Sequence, residues 1–569
     1  MGALQDVPWL TVLGLIPLVG TAVLLALPRR KEQLQKVVAL VTSLVVLGVT
    51  ILACAAFDPA GERFQFTQAY DWIPAFGVQY AVGADGIALV LIALIAVLVP
   101  VVILASWHDS DAVVQDTAAA KANAGVEAAN AGVEAATDAE SSGPAQDARG
   151  GSVRIGGPTE APRSRRRSVK AFFALLLVLE TMMIGVFAAT DVFLFYVFFE
   201  AMLIPMYFLI GSYGGPRRSY AAMKFLLFSL AGGLLMLASV IGLYVVSADQ
   251  GEGTFAFEKL VELEISTPVQ IALFLGFFIA FAIKAPLFPF HTWLPDAGAE
   301  APVGGAVLLV GVLDKVGTFG FLRYCLPLFP DASRILGPYV IVLCVIGILY
   351  GALVAMGQKD LKRLISYTSV AHFGFIGMGI FAFTTQGQTG AVLYMVNHGL
   401  STGALFLVAG FLIARGKSRL IEDYSGVAAI APILAGTFLL AGLSSLALPG
   451  LSTFISEFLV LLGTYSRYPV AAVFAVLGVV LAALYILLTY QRTMQGKLRL
   501  PGGLTSIKDL HLREVVAVAP LLALMVVLGV YPKPLIDVIN PAVDATMQDA
   551  GRTDPEPTLG RGDTAAPAR

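Results

Sequence analysis

The sequence predicts an all-α polytopic membrane protein with about fourteen transmembrane helices, and three observations carry that prediction. The chain has 569 residues, is 57% hydrophobic and only 13% charged, and has a mean hydropathy of +0.81, outside the range of an ordinary soluble domain. Its apolar runs are continuous rather than alternating, which excludes a closed β-barrel. Its basic clusters fall in every second loop, the pattern of a chain threaded back and forth through a bilayer.

A helix needs roughly 20 mostly apolar residues to cross the hydrocarbon core. By that ruler the crossings lie near 7–27, 36–56, 84–106, 170–189, 191–210, 222–247, 269–290, 303–323, 337–356, 364–384, 390–414, 428–463, 469–490 and 512–531. The N-terminus lacks the short basic region and cleavage site of a secretory signal, so the first crossing is expected to be retained. The first three crossings make up residues 1–108. Residues 109–169 are rich in Ala, Gly, Glu and Ser and carry the heptapeptide NAGVEAA in tandem at 123–129 and 130–136. With no large apolar side chains to bury, they are expected to form a disordered cytoplasmic insertion. The tail 541–569 is polar and is expected to be loose.

Two crossings are expected to be broken. In the seventh, Lys284-Ala285-Pro286-Leu287-Phe288-Pro289 carries two prolines, and in the twelfth Leu448-Pro449-Gly450 interrupts a run too long for one straight passage. The breaks lie five crossings apart. Five is odd, so helices 4–8 (170–324) and helices 9–13 (337–491) would form two inverted repeats, each with its fourth helix broken, followed by helix 14 at 512–531. Irregular backbone at membrane depth is tolerated only where it lines a cavity or is buried in protein.

The net charge of −2 hides an asymmetry between the two faces. One set of loops holds Arg29, Arg30 and Lys31; Arg163 and Arg165 to Arg167; Arg217 and Arg218; Lys359, Lys362 and Arg363; Arg415, Lys417 and Arg419; and Arg492, Lys497 and Arg499. The loops between them are poor in Lys and Arg, the acidic stretch 249–264 among them. The positive-inside rule makes the basic loops cytoplasmic and puts both termini outside.

Against this background four residues stand out. Glu200, Lys284, Lys315 and Glu457 lie inside the apolar runs 192–210, 271–288, 306–322 and 451–463. An ionisable side chain at that depth is costly and is kept to face a protein interior, a partner or a water path. His372 and His398, on consecutive helices, can accept a proton on one ring nitrogen and release one from the other. Glu180 could be a second acid near the entrance, and His291 could organise the cytoplasmic end of the seventh helix with Asp296. Asp314 is adjacent to Lys315, but neighbouring helical residues point in different directions, so the two are not paired. The competing use of these groups is a static buried ion pair or an interhelical hydrogen bond that only fixes packing.

No cofactor or metal is expected on this chain. Cys54, Cys325 and Cys344 are scattered, without a C-x-x-C pair for iron–sulfur or zinc, and no G-x-G-x-x-G or Walker motif follows a strand. Two histidines on separate helices make a poor metal site. Nucleic acid is not an expected partner; membrane lipid is.

The segments FLFYVFFEAMLIPMYFLIG (193–211), AIKAPLFPFHTWLPDAGAEAP (282–302), DLKRLISYTSVAHFGF (360–375), NHGLSTGALFL (397–407) and LPGLSTFISEF (448–458) resemble the proton-pumping antiporter-like subunits of respiratory complex I and the related multisubunit cation/proton antiporters. The resemblance covers nearly the whole chain outside 109–169. It implies a bacterial plasma-membrane subunit of an NADH:quinone oxidoreductase, with neighbouring antiporter-like subunits as partners. NADH, FMN, iron–sulfur clusters and quinone would be held elsewhere in the assembly. It also implies a proton row from Glu200 through Lys284, Lys315 and His372 to Glu457, with His398 as a further proton-carrying residue and Glu200 as the partner of Lys284. Two features set the chain apart from its siblings: Glu457 stands where they usually carry Lys, and no long lateral helix follows the fourteenth. Gly298 departs from the family, which commonly has His there. The alternatives are a subunit of a redox-independent cation/proton antiporter and a membrane scaffold without transport.

Overall fold

The computed structural model describes residues 7–108 and 168–556; most of the 109–169 insertion and residues 557–569 of the tail lie outside the described residues. Among the described residues, thirteen helices are long and apolar enough to cross a membrane. They are α1 (Trp9–Ala26), α2 (Glu32–Ala56), α3 (Gly86–Ala105), α4 (Val169–Ala188), α5 (Val192–Tyr213), α6 (Arg218–Gln250), α7 (Thr267–Lys284), α8 (Val303–Leu328), α9 (Pro330–Met356), α10 (Leu361–Phe381), α11 (Thr385–Gly416), α13 (Pro469–Met494) and α14 (Leu512–Val530). The crossing expected at 428–463 is α12, made of two short apolar helices, Pro432–Ser445 and Ser452–Tyr465. With it the expected count of fourteen is met.

Several apolar runs begin at a capping side chain that satisfies an orphan backbone donor. Asp85 accepts from Ala88 N at the head of α3, Asp191 from Leu194 N at α5, and Asp360 from Lys362 N and Arg363 N at α10. The helices differ in how they face their surroundings. α8, α10 and α11 are almost wholly enclosed, whereas α1, α2, α13 and α14 turn most of their surface outward. Lys315, His372 and His398 therefore belong to the three innermost helices.

The sequence reading misses two elements. Residues Gln65–Ile73 and Val78–Ala84 form an antiparallel hairpin, β1 and β2, with Gly77 in the left-handed region at φ +63° in its turn. The tail is not loose where it is described. Lys533–Asp549 is a further helix, α15, and its buried residues Ile539, Ala542, Val543, Thr546 and Met547 recur at the three-to-four spacing of an apolar stripe. That stripe packs on α3 and α11, and Thr389 Oγ1 donates to Asn540 Oδ1 at 2.8 Å. Pro541 lies in the interior of α15, where it has no N–H to donate to Asp537 O.

The basic loops gather at one end of the bundle. Glu300 holds Arg419 at 3.1 Å and accepts from Arg217 N at 3.0 Å, Asp360 holds Arg419 at 3.2 Å, and Arg415 meets Glu514 in two hydrogen bonds. Asp296 binds Lys224 at 2.7 Å and Arg363 at 2.5 Å, not His291 as expected. His291 is instead buried among Phe288, Tyr350 and Tyr367.

The far end is tied by a different pair. Arg323 Nη2 meets Asp85 Oδ2 at 2.6 Å in a buried site, with the guanidinium 4.6 Å from the Phe64 ring and 5.1 Å from that of Phe319. Removing one partner of a buried pair strands the other charge, at a cost of about 3–5 kcal/mol. Arg323→Leu is therefore expected to lower the amount of assembled protein and its melting temperature, read on a native gel and by thermal unfolding. An unchanged melting temperature would refute it.

Candidate functional site

α5 kinks beside Glu200. Pro205 has no N–H and its ring obstructs the carbonyl four residues back, that of Ala201, so the helix divides into Val192–Ala201 and Leu203–Tyr213. The Glu200 carboxylate turns toward α6, where Gly233 leaves the space it occupies; a Cβ there would collide with Oε1. Any side chain at Gly233 would displace the acid.

α7 ends at Lys284 for the reason the prolines give. Pro286 cannot donate to Ala282 O, so Leu287 N takes that carbonyl at 3.0 Å, and Ile283 O is left for the indole of Trp293 at 2.8 Å. The chain resumes as a short 3₁₀ turn, Phe290–Trp293, and the helix Leu294–Glu300. Lys284 is buried, with Nζ 4.7 Å from the Phe199 ring centroid and 6.0 Å from that of Phe225. Glu200 and Lys284 interact electrostatically but are not bonded. Among the described residues, neither Lys284 Nζ nor Glu200 Oε1 has a hydrogen-bond partner. The expected pair is thus within electrostatic reach but forms no ion pair or hydrogen bond among the described residues.

On α8, Leu309–Leu313 forms a π-helical segment ending at Asp314. Lys315 Nζ donates to Val310 O, five residues back, and lies 2.6 Å from His398 Nδ1 on α11. Lys315 Nζ and His398 Nδ1 thus share one hydrogen bond: the ammonium donates it to the ring, and the neutral amine accepts it from the tautomer protonated on Nδ1. The His398 and His372 ring centroids are 5.2 Å apart at 85°, and His372 is 5.8 Å from the ring of Tyr394. Tyr394 OH donates to Glu457 Oε2 at 2.8 Å. Lys315, His398, His372, Tyr394 and Glu457 therefore follow one another in the buried interior, hydrogen-bonded from Lys315 to His398 and from Tyr394 to Glu457 and joined in between by neighbouring rings.

The break in α12 supports this end. Ala447 and Gly450 take positive φ, +59° and +93°, and Asn397 Nδ2 reaches across from α11 to Ser452 O at 2.8 Å. His372 lies beside the main chain of Ser445, the last residue before the break. α14 braces it from outside, its Gly529 lying against Gly450 and Leu451.

Glu180 is completely buried on α4, and neither of its oxygens has a hydrogen-bond partner among the described residues. At Gly298 a Cβ would meet Ser366 Oγ, so a larger residue requires that serine to move. Sequence reasoning misses Tyr394 and Asn397. Their signal is spacing, since Tyr394 and His398 are four apart and so share one face of α11.

A mostly helical bundle with broken helices and buried acids, amines and imidazoles is the architecture of an antiporter-like membrane subunit. Residues 189–483 match the family described as NADH:quinone oxidoreductase/Mrp antiporter, transmembrane, and the chain belongs to that family. Full-length relatives bear the name NADH-quinone oxidoreductase subunit M. The one from Mycobacterium tuberculosis is 51% identical, with 98% of this chain and 97% of the relative covered; that from Rhodobacter capsulatus is 36% identical, with 95% and 96% covered. Among solved structures, a chain of respiratory complex I from Thermus thermophilus superimposes with a TM-score of 0.78 at 31% identity, covering 95% of this chain and all of that one. A chain of the Mrp complex from Dietzia shares the fold, with a TM-score of 0.73 at 20% identity over 95% of this chain and 52% of its own length. The resemblance read from the sequence motifs is met, and the name these relatives share narrows it to subunit M, in line with the two features that set the chain apart from its siblings.

Proposed function

We propose that this chain is a proton-translocating membrane subunit of a respiratory NADH:quinone oxidoreductase, seated beside other antiporter-like membrane subunits. Quinone reduction elsewhere in the assembly supplies the free energy. A change in the Glu200 to Lys284 distance alters the proton affinity of Lys284, which passes a proton toward Lys315. The proton then crosses His398, His372 and the Tyr394 hydroxyl to Glu457 and leaves outside, with the basic loops cytoplasmic and both termini outside. Helices α4 to α8 and α9 to α13 serve as the two inverted repeats, and their broken members α7 and α12 flank the row.

The observation that carries the reading is the buried succession from Lys315 to Glu457, hydrogen-bonded at its two ends and linked between them by the neighbouring rings of His398, His372 and Tyr394. A redox-independent antiporter has the same fold, so the test is made on the whole assembly. Flavin and iron–sulfur absorbance should co-purify with the chain, and Lys315→Met should reduce NADH-driven proton uptake into vesicles by at least ~10-fold per assembled complex. Wild-type uptake in Lys315→Met, or a purified assembly without flavin, would overturn it.

A further inference from the structure

We propose that Asp314 is the acid through which a proton passes between Lys284 and Lys315. The proposal rests on the reading of the row as a proton path and adds to it the residue that joins its two halves.

Asp314 is completely buried, and neither of its carboxylate oxygens has a hydrogen-bond partner among the described residues. An unsatisfied acid in a membrane interior is expensive, so a use is expected of it. Its placement supplies one. α8 touches the break of α7 at Gly317, where a Cβ would run into Phe281 O and Ala285 N. Asp314 is three residues before Gly317 and so lies on the same face of α8, toward Ala285 and its neighbour Lys284. Lys315, one residue on, is rotated by roughly 100° and meets His398 on α11 instead. Consecutive residues of α8 thus present an acid to one half of the row and an amine to the other. Asp314 interacts electrostatically with both lysines. The π-helical segment Leu309–Leu313 ends at this residue, an irregularity frequent at functional positions.

The charge balance explains why an acid is needed. Without it, a proton moving from one lysine to the other keeps an uncompensated positive charge in a low-dielectric interior. With it, the start is Lys284 ammonium, Asp314 carboxylate and Lys315 amine. The N–H bond of Lys284 breaks as an O–H bond forms on Asp314, leaving all three groups neutral. That O–H bond then breaks as an N–H bond forms on Lys315, which restores the carboxylate and makes the second ammonium. The three groups sum to zero charge at every stage. Glu200 faces Lys284 from α5 and His398 faces Lys315 from α11, the one receiving the signal and the other the proton.

The bland reading is a permanently ionised counter-ion. The two are separated in the reconstituted complex by proton uptake per NADH oxidised and by infrared difference spectra. D314N should lose at least ~10-fold in proton uptake with normal assembly, and D314E should keep most of it. A protonated-carboxyl C=O band should appear during turnover, vanish in D314N and shift in D314E. Wild-type uptake in D314N overturns the proposal, as does a wild type with no band that D314E shifts; this second test stands even where D314N does not assemble. Lys315→Met tells the two failures apart. If it abolishes uptake while D314N pumps normally, only the role of Asp314 falls; if it too pumps normally, the reading of the row falls.

Discussion

Lys284→Ala should stop NADH-driven proton uptake, by at least ~10-fold per assembled complex, while the complex still assembles. The side chain is buried at the end of the first half of α7, its ammonium against Phe199 and Phe225 and within electrostatic reach of Glu200 and Asp314. Because Nζ makes no hydrogen bond among the described residues, alanine breaks none, and the fold loses only packing. What disappears is the group that converts a change in geometry into a proton step. Lys284→Arg sharpens the test, since a guanidinium keeps the charge but does not release its proton in a protein. Both variants should fail if titration is the function, whereas only alanine should fail if a fixed positive charge is enough. Dye-quenching assays of vesicle acidification measure this directly, and wild-type uptake in both would remove Lys284 from the path.

Much of this was legible because the membrane simplifies the problem. Continuous apolar runs and alternating basic loops locate the helices, and Pro286, Pro289 and Pro449 mark the two breaks, since proline cannot donate to a helical carbonyl in any context. Glu200, Lys284, Lys315 and Glu457 stand out against apolar neighbours for the same reason. What stayed hidden depends on pairing across the chain. The hairpin of β1 and β2 consists of two short strands made by pairing with each other, and a search for long apolar runs passes over it. The stripe of α15 is apolar only on the face that meets α3 and α11, so average composition reads it as a polar tail. Helix geometry turns Asp314 away from Lys315, so sequence adjacency gives it no partner. That rule is right, and the same rotation aims the acid at a lysine on another helix.

Glu457 gives the sharpest test of the outer half of the row. It is buried on the second half of α12 and accepts from Tyr394 OH at 2.8 Å, and the hydroxyl of Tyr485 is buried in the same neighbourhood. Glu457→Gln keeps the size and leaves an amide oxygen for Tyr394, so assembly should be normal. The amide cannot cycle a proton, and uptake should fall by at least ~10-fold. Glu457→Lys restores a titrating group. Lysine only donates, so Tyr394 must turn its hydroxyl to accept, and a partial return of uptake is expected. The predicted order is Glu above Lys and Lys above Gln, measured as proton uptake per assembled complex. A packing role gives a different order, because Gln keeps the size of Glu and an acceptor for Tyr394, whereas Lys is longer and reverses the hydrogen bond. Gln matching wild type, with Lys disrupting assembly, would mean that protons leave elsewhere and that Glu457 only anchors α12 to α11.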